Sequence, residues 1–247
     1  MDRRSLEVTG QSNVHNQFMQ ELVTTLISET QMQQVFGERF KELTDYLKTE
    51  HSLSHNRLAK KLCLTGYTYK GYRMSKFFPK TRTLYILANL GISVSWLFGS
   101  DEVSMINPYF EDWITEYLSS PIEKPYLQIL KKNPNPHFKD VLSAVNFNCH
   151  RLKYEHTKES IRLRLAVLFD IFRKSGKVKP IDIQQALRLS GSLANYESGI
   201  PIPSYALFRM VHLFKINVDS ILTGRGKTFI NRTELTKELN DNYFIVP

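Results

Sequence analysis

Cysteine is almost absent from this chain. Cys63 and Cys149 are its only two, far apart and without the paired spacing of a metal site. A disulfide framework and a thiolate zinc centre are therefore not expected, and both residues read as small buried hydrophobes in a reducing compartment. Long apolar runs are missing as well: nothing approaches the roughly 18 residues that suggest a membrane span, and the polar, Gln- and Asn-rich start does not read as a signal peptide. No GxxxxGKS/T, no GxGxxG after a strand and no HExxH occurs, and the seven His are scattered. The expectation is a non-enzyme of the cytoplasm, with no catalytic residue, cofactor, metal, membrane partner or evident small-molecule ligand. The most local absence is of acid. Residues 53–82 contain eight Lys or Arg and no Asp or Glu.

What that stretch does contain is more telling. Arg57, Lys60, Lys61, Lys70, Arg73, Lys76, Lys80 and Arg82 sit on an apolar frame of Leu58, Leu62, Leu64, Tyr69 and Tyr72. Leu58, Leu62 and Tyr69 fit one buried helical seam, interrupted after Leu64 by Thr65-Gly66. Two short helices joined by a tight turn containing Gly make the sequence form of a helix-turn-helix. An unbroken positive surface on such a motif calls for a polyanion, and DNA is the obvious one. The net charge of +9 agrees, and 42% hydrophobic residues are ample for a packed core.

The motif has an echo. Residues 183–203 repeat it, with Ile183, Leu187, Leu189, Ser190 and Gly191 in the places of Leu58, Leu62, Leu64, Thr65 and Gly66. After a one-residue gap Tyr196 matches Tyr72, and Pro203 matches Pro79. Each copy closes alike, with ISVSWLFG at 92–99 and INVDSILTG at 216–224. The chain reads as two copies of one helical unit, about 125 residues apart.

Both units resemble the lambda-repressor-like, Xre/Cro-type helix-turn-helix domain of phage repressors and bacterial regulators. The first carries Leu58-Ala59, Leu64-Thr65, Tyr72, Lys76, Pro79 and the closing Val94-Ser95-Trp96-Leu97. The second carries Leu189-Ser190, the run from Asn195 to Gly199, and Pro203-Ser204. The resemblance covers somewhat over half the chain. It implies an all-α fold of two lambda-repressor-like helix-turn-helix domains joined by a small helical spacer. The expected organisation is a helical arm over 1–35, a basic DNA-binding domain over 36–103, a helical spacer over 104–158, a second, degenerate domain over 159–227 and a tail over 228–247.

Position by position, the chemistry fits DNA. Thr65 and Ser190 are good N-caps for the helices that follow. Gly66 and Gly71 remove side chains from the first unit's second helix, which would let backbone approach a groove floor or phosphate. Tyr67, Thr68 and Lys70 lie on the side not claimed by Tyr69 and Tyr72, within reach of base edges. Lys76 and Lys80 follow in the loop, placed for phosphates. The resemblance adds His55, where the family commonly sets a polar residue against the backbone.

The second unit departs from this pattern. Between Pro180 and Pro203 it has one base, Arg188, against Asp182 and Glu197. Its reading helix would show Ser192, Ala194 and Asn195, of which Asn195 suits adenine. Ile200 stands where the family usually has a basic loop residue, and Arg73 stands where Glu197 keeps the family's acid. Two readings remain open: a second half-site reader, or a degenerate copy kept for assembly, the latter favoured.

Val14, Phe18, Leu22, Leu26 and Ile27 mark an apolar stripe on the arm. Trp113, Tyr117, Leu118, Tyr126, Leu127 and Leu130 make the spacer too apolar for a free linker. Tyr243 to Val246 form an apolar tail end. The resulting expectation is a sequence-specific DNA-binding transcriptional regulator of phage or mobile-element type, a repressor in a bacterial cell or phage-infected host. Its partner is double-stranded DNA, met by a homodimer or by both units of one chain, whose helices would lie about 34 Å apart. A protein-interaction adaptor on the same fold, an anti-repressor or antitoxin, is the alternative.

Overall fold

The computed structural model describes residues 27–119, 158–175 and 179–230. These are mostly helical, with no strand among the described residues and two isolated antiparallel bridges. The first helix, α1 (Glu29–Glu50), starts at a capping box: Ser28 Oγ accepts from Gln31 N, while Gln31 Oε1 accepts from Ser28 N at 2.8 Å. Its Phe36, Phe40, Leu43 and Leu47 recur at helical spacing and are buried. Then come α2 (His55–Lys61), α3 (Gly66–Arg73), α4 (Thr81–Asn89) and α5 (Val94–Leu97), with Ser54, Thr65 and Ser93 as side-chain caps of α2, α3 and α5. A 3-10 turn (Pro108–Phe110) leads into α6 (Glu111–Ser119). After the interval come α7 (Lys158–Ser175), α8 (Pro180–Ala186), α9 (Leu193–Glu197), α10 (Ser204–Phe214) and α11 (Val218–Thr223).

The sequence echo has a backbone counterpart. Left-handed residues end equivalent helices in pairs: Cys63 and Arg188, Ser75 and Gly199, Gly91 and Lys215, Gly99 and Gly224. The two bridges also correspond. Ile92 pairs with Ile106 just before α5, and Ile216 pairs with Phe229 just before α11. Helix contacts repeat too, since α1 packs on α3 and α5 as α7 packs on α9 and α11.

The two five-helix runs do not stand apart. α4 and α5 pack on α11, and the buried residues of both runs form one contiguous apolar cluster. Phe78, Phe98 and Phe208 meet at its centre with ring centroids 5.1–5.9 Å apart. His212 Nε2 lies 2.6 Å from the Phe98 carbonyl, and Thr81 Oγ1 donates to the Ile202 carbonyl at 2.9 Å. The carboxylate of Asp219, 3% exposed, accepts from Ser93 Oγ at 2.8 Å, Val94 N at 2.7 Å and Ser95 N at 3.2 Å. An acid of α11 thereby occupies the amino end of α5. Ser95 Oγ closes the contact on Asn217 Oδ1 at 2.9 Å.

Several sequence expectations need revision on these grounds. Ser190 is not a cap: α9 starts at Leu193, with Ser192 at the position before it and without a side-chain capping bond, so the turn before α9 is longer than the one before α3. Lys61 is not part of the positive surface, being 1% exposed with its ammonium donating to the Tyr117 carbonyl at 2.8 Å and lying 4.9 Å from the Tyr117 ring. Cys63 is half-buried rather than a core residue. α1 runs unbroken across the 35/36 boundary, so Glu29 to Val35 belong to the same helix as the residues that follow. Val14, Phe18, Leu22 and Leu26 of the arm, residues 120–157 of the spacer and Tyr243 to Val246 of the tail lie outside the described residues.

Candidate nucleic-acid interface

The candidate surface is built on α3. Tyr69 and Tyr72 hold this helix to α1, packing edge-on against Phe40 at 5.7 and 5.5 Å. That fixes the opposite side outward, where Tyr67 is 78% exposed and Lys70 is exposed. Thr65 caps the helix by accepting from Thr68 N at 3.1 Å, and its hydroxyl also meets Thr68 Oγ1 at 2.9 Å. At Gly66 a Cβ would meet nothing within 4 Å, so this first turn presents open backbone. Lys76, in the following loop, and Lys80, which precedes α4, are both exposed. None of Lys70, Lys76 and Lys80 has a carboxylate partner among the described residues. The structure thus brings Thr65, Gly66, Tyr67, Thr68, Lys70, Lys76 and Lys80 onto one helix and the loop after it.

Gly71 does something else. It is buried, and the Phe77 ring lies where its Cβ would be, so its missing side chain admits Phe77 rather than a phosphate. Phe77 in turn supports Tyr67, their ring centroids 5.3 Å apart. This is a correction with a simple cause: close approach of an aromatic ring leaves no face of Gly71 for another molecule.

His55 begins α2 and is half-buried, with Nδ1 2.9 Å from the Tyr69 hydroxyl. Burial lowers its pKa, as do the nearby charges of Arg73 and Lys48, against a smaller opposing influence of Asp45. Arg73, the residue next to Tyr72, donates to Thr44 Oγ1 at 2.6 Å and to Asp45 Oδ1 at 2.8 Å. Burial works against the charged form of Asp45, but hydrogen bonds from Arg73 and Lys41 outweigh it and hold the carboxyl below its ordinary value. A chain of contacts therefore runs from α1 through Arg73 and Tyr69 to the start of α2. It ties together the three elements around the candidate surface.

At the corresponding place in the second run, the ion pair is reversed. Glu197 of α9 pairs with Arg173 of α7, whereas Arg73 of α3 pairs with Asp45 of α1. The acid-free stretch could not reveal Asp45, because the partner comes from 28 residues earlier. Ser192 and Asn195 are exposed at α9, together with Ala194, and α9 itself carries no Lys or Arg. Asn195 folds back towards Gly191, its Nδ2 2.6 Å from where a Cβ there would stand. The two candidate surfaces differ in charge, in helix length and in the turn that precedes them.

Among the described residues, no cluster of His, Cys, Asp and Glu could hold a metal ion, and no helix is long and apolar enough to cross a membrane. Comparison with protein-family models, with curated proteins and with solved structures finds no match for this chain.

Proposed function

We propose that the chain is a sequence-specific DNA-binding transcriptional regulator, of phage or mobile-element type, that represses by occupying a promoter. In this reading α2 and α3 are a lambda-repressor-like helix-turn-helix, with α3 entering the major groove, and α8 and α9 are its second copy. The observation that carries it is the surface of α3 and the loop after it: Lys70, Lys76 and Lys80 are exposed without carboxylate partners among the described residues, beside a capped first turn left open by Gly66. Unpaired like charges repel one another, and a duplex offsets that repulsion with its phosphates. Lys70 and Tyr67 project from the same helix, where Lys suits guanine O6 or N7.

Salt dependence tests the reading directly. DNA binding predicts that log K falls linearly with log salt, with a slope of about −0.9 per phosphate neutralised. Replacing both cations (Lys70→Glu, Lys76→Glu) should abolish binding in a gel shift at ordinary salt. Retention of full affinity by that variant would reduce the basic face to a solvated surface.

A protein-interaction adaptor is the second reading. Leu163, Ile181 and Ile200 favour it, since all three are exposed on the second run. An adaptor predicts nearly salt-independent behaviour in the same titration.

A further inference from the structure

One apolar face of each run is already covered by the other run inside this one chain. Ser93 and Asn217 are equivalent caps, of α5 and α11, and they face the same contact from opposite sides. Asp219 gives its carboxylate to Ser93, Val94 and Ser95, Ser95 reaches Asn217, and Phe98 meets Phe208 and His212. The contact is largely apolar, continuous with both cores, and closed by a buried acid whose oxygens are all engaged. Opening it would expose that apolar surface to water and break the hydrogen bonds that join Asp219 to Ser93, Val94 and Ser95. The two runs are therefore held as one body.

The DNA-facing sides of that body are unequal. α3 has eight residues, an open first turn and exposed Lys70, with Lys76 and Lys80 following. α9 has five residues and exposes Ala194 and Asn195, and its acid, Glu197, is tied to Arg173 of α7. α3 offers Lys70 to a base edge with Lys76 and Lys80 for the flanking phosphates, whereas the exposed cation beside α9, Arg188, lies in the turn before the helix and not on it.

We infer that a single chain, rather than a homodimer, is the complete DNA-binding unit, and that its target is an asymmetric duplex site whose sequence is read through α3 alone. This rests on the DNA-binding reading given above. The second run takes the place of a second subunit, so no two-fold symmetry is imposed on the DNA. A symmetric dimer favours a palindrome because each half meets an identical helix; here the halves meet different ones.

The experiment selects bound sites from a random duplex pool with the full chain, then weighs the complex by sedimentation. The expected result is a motif without inverted symmetry, bound by one 28.8 kDa chain per duplex. Asn195→Ala should leave the recovered motif unchanged and alter affinity by less than about threefold, whereas Lys70→Glu should remove selection altogether. An inverted-repeat motif, two chains per duplex, or a motif altered over half its length by Asn195→Ala would each overturn the inference and leave the DNA-binding reading intact. Recovery of no DNA at any salt would overturn that reading and the inference with it.

Discussion

Arg73, Lys61 and Gly71 belong to one stretch of sequence, and packing gives each a different fate. Arg73 is drawn to Asp45 and Thr44, Lys61 is withdrawn onto the Tyr117 carbonyl, and Gly71 is covered by Phe77. Two histidines carry a pH consequence. Burial lowers the pKa of His212, with Lys215 adding to it and the Phe98 carbonyl opposing it; burial first, then the charges of Arg73 and Lys48, lower that of His55. Both have an ordinary value of 6.5. An imidazole depressed in the folded state binds fewer protons than it does in the unfolded chain, so its contribution to stability declines as pH falls through that ordinary value. Asp219 acts in the opposite sense at lower pH, since burial raises its pKa above the ordinary 3.8 despite hydrogen bonds from Val94, Ser93 and Ser95. Urea unfolding of wild type should therefore show declining stability from about pH 7.5 to 5.5, with a shallower decline for His212→Gln. Equal slopes for the two proteins would place the dependence elsewhere.

Between helices, the reversed ion pair does more than join neighbours. Asp45–Arg73 joins α1 to α3, and Arg173–Glu197 joins α7 to α9. Docking α1 on α9 would bring Asp45 towards Glu197, and docking α7 on α3 would bring Arg173 towards Arg73. Like charges disfavour both, so the polarity directs each first helix to its own third helix. Both acids retain some exposure, so the coupling should be modest, about 0.5–1 kcal/mol. In a double-mutant cycle, Arg73→Glu should destabilise the chain, and adding Asp45→Arg should recover about that amount. Strictly additive effects would show that the pair contributes nothing beyond its separate packing.

For the whole molecule, the shared core decides how it unfolds. Phe78 and Phe98 of the first run close on Phe208 of the second, and Ser93 to Ser95 satisfy Asp219. Unfolding one run would expose apolar surface of the other to water and break the hydrogen bonds between them, so a single cooperative transition is expected. Truncation after residue 103 removes the second run whole and uncovers the faces of α4 and α5 that pack on α11. In thermal unfolding that fragment should melt well below the full chain, or fail to show a cooperative transition. A fragment as stable as the parent would mean that the two runs fold independently.

Much of this protein follows from local sequence. The helical seams, the duplicated motif, the cap at Thr65 and the exposure of Lys70, Lys76 and Lys80 depend on periodicity and on residues a few positions apart, which a linear reading captures. The start of α9 was less legible: Ser190 reads as a cap, but the helix begins only at Leu193, where Leu193 and Tyr196 are buried. The pairing of Arg73 with Asp45, the burial of Lys61 beneath Tyr117, the filling of Gly71 by Phe77 and the joining of the two runs through Asp219 were not legible at all. Apart from the nearby Gly71–Phe77 contact, these join residues 28 to 126 positions apart. Whether a charge meets solvent or a partner is set by what folds against it, and that is a property of three-dimensional packing rather than of the neighbouring chain.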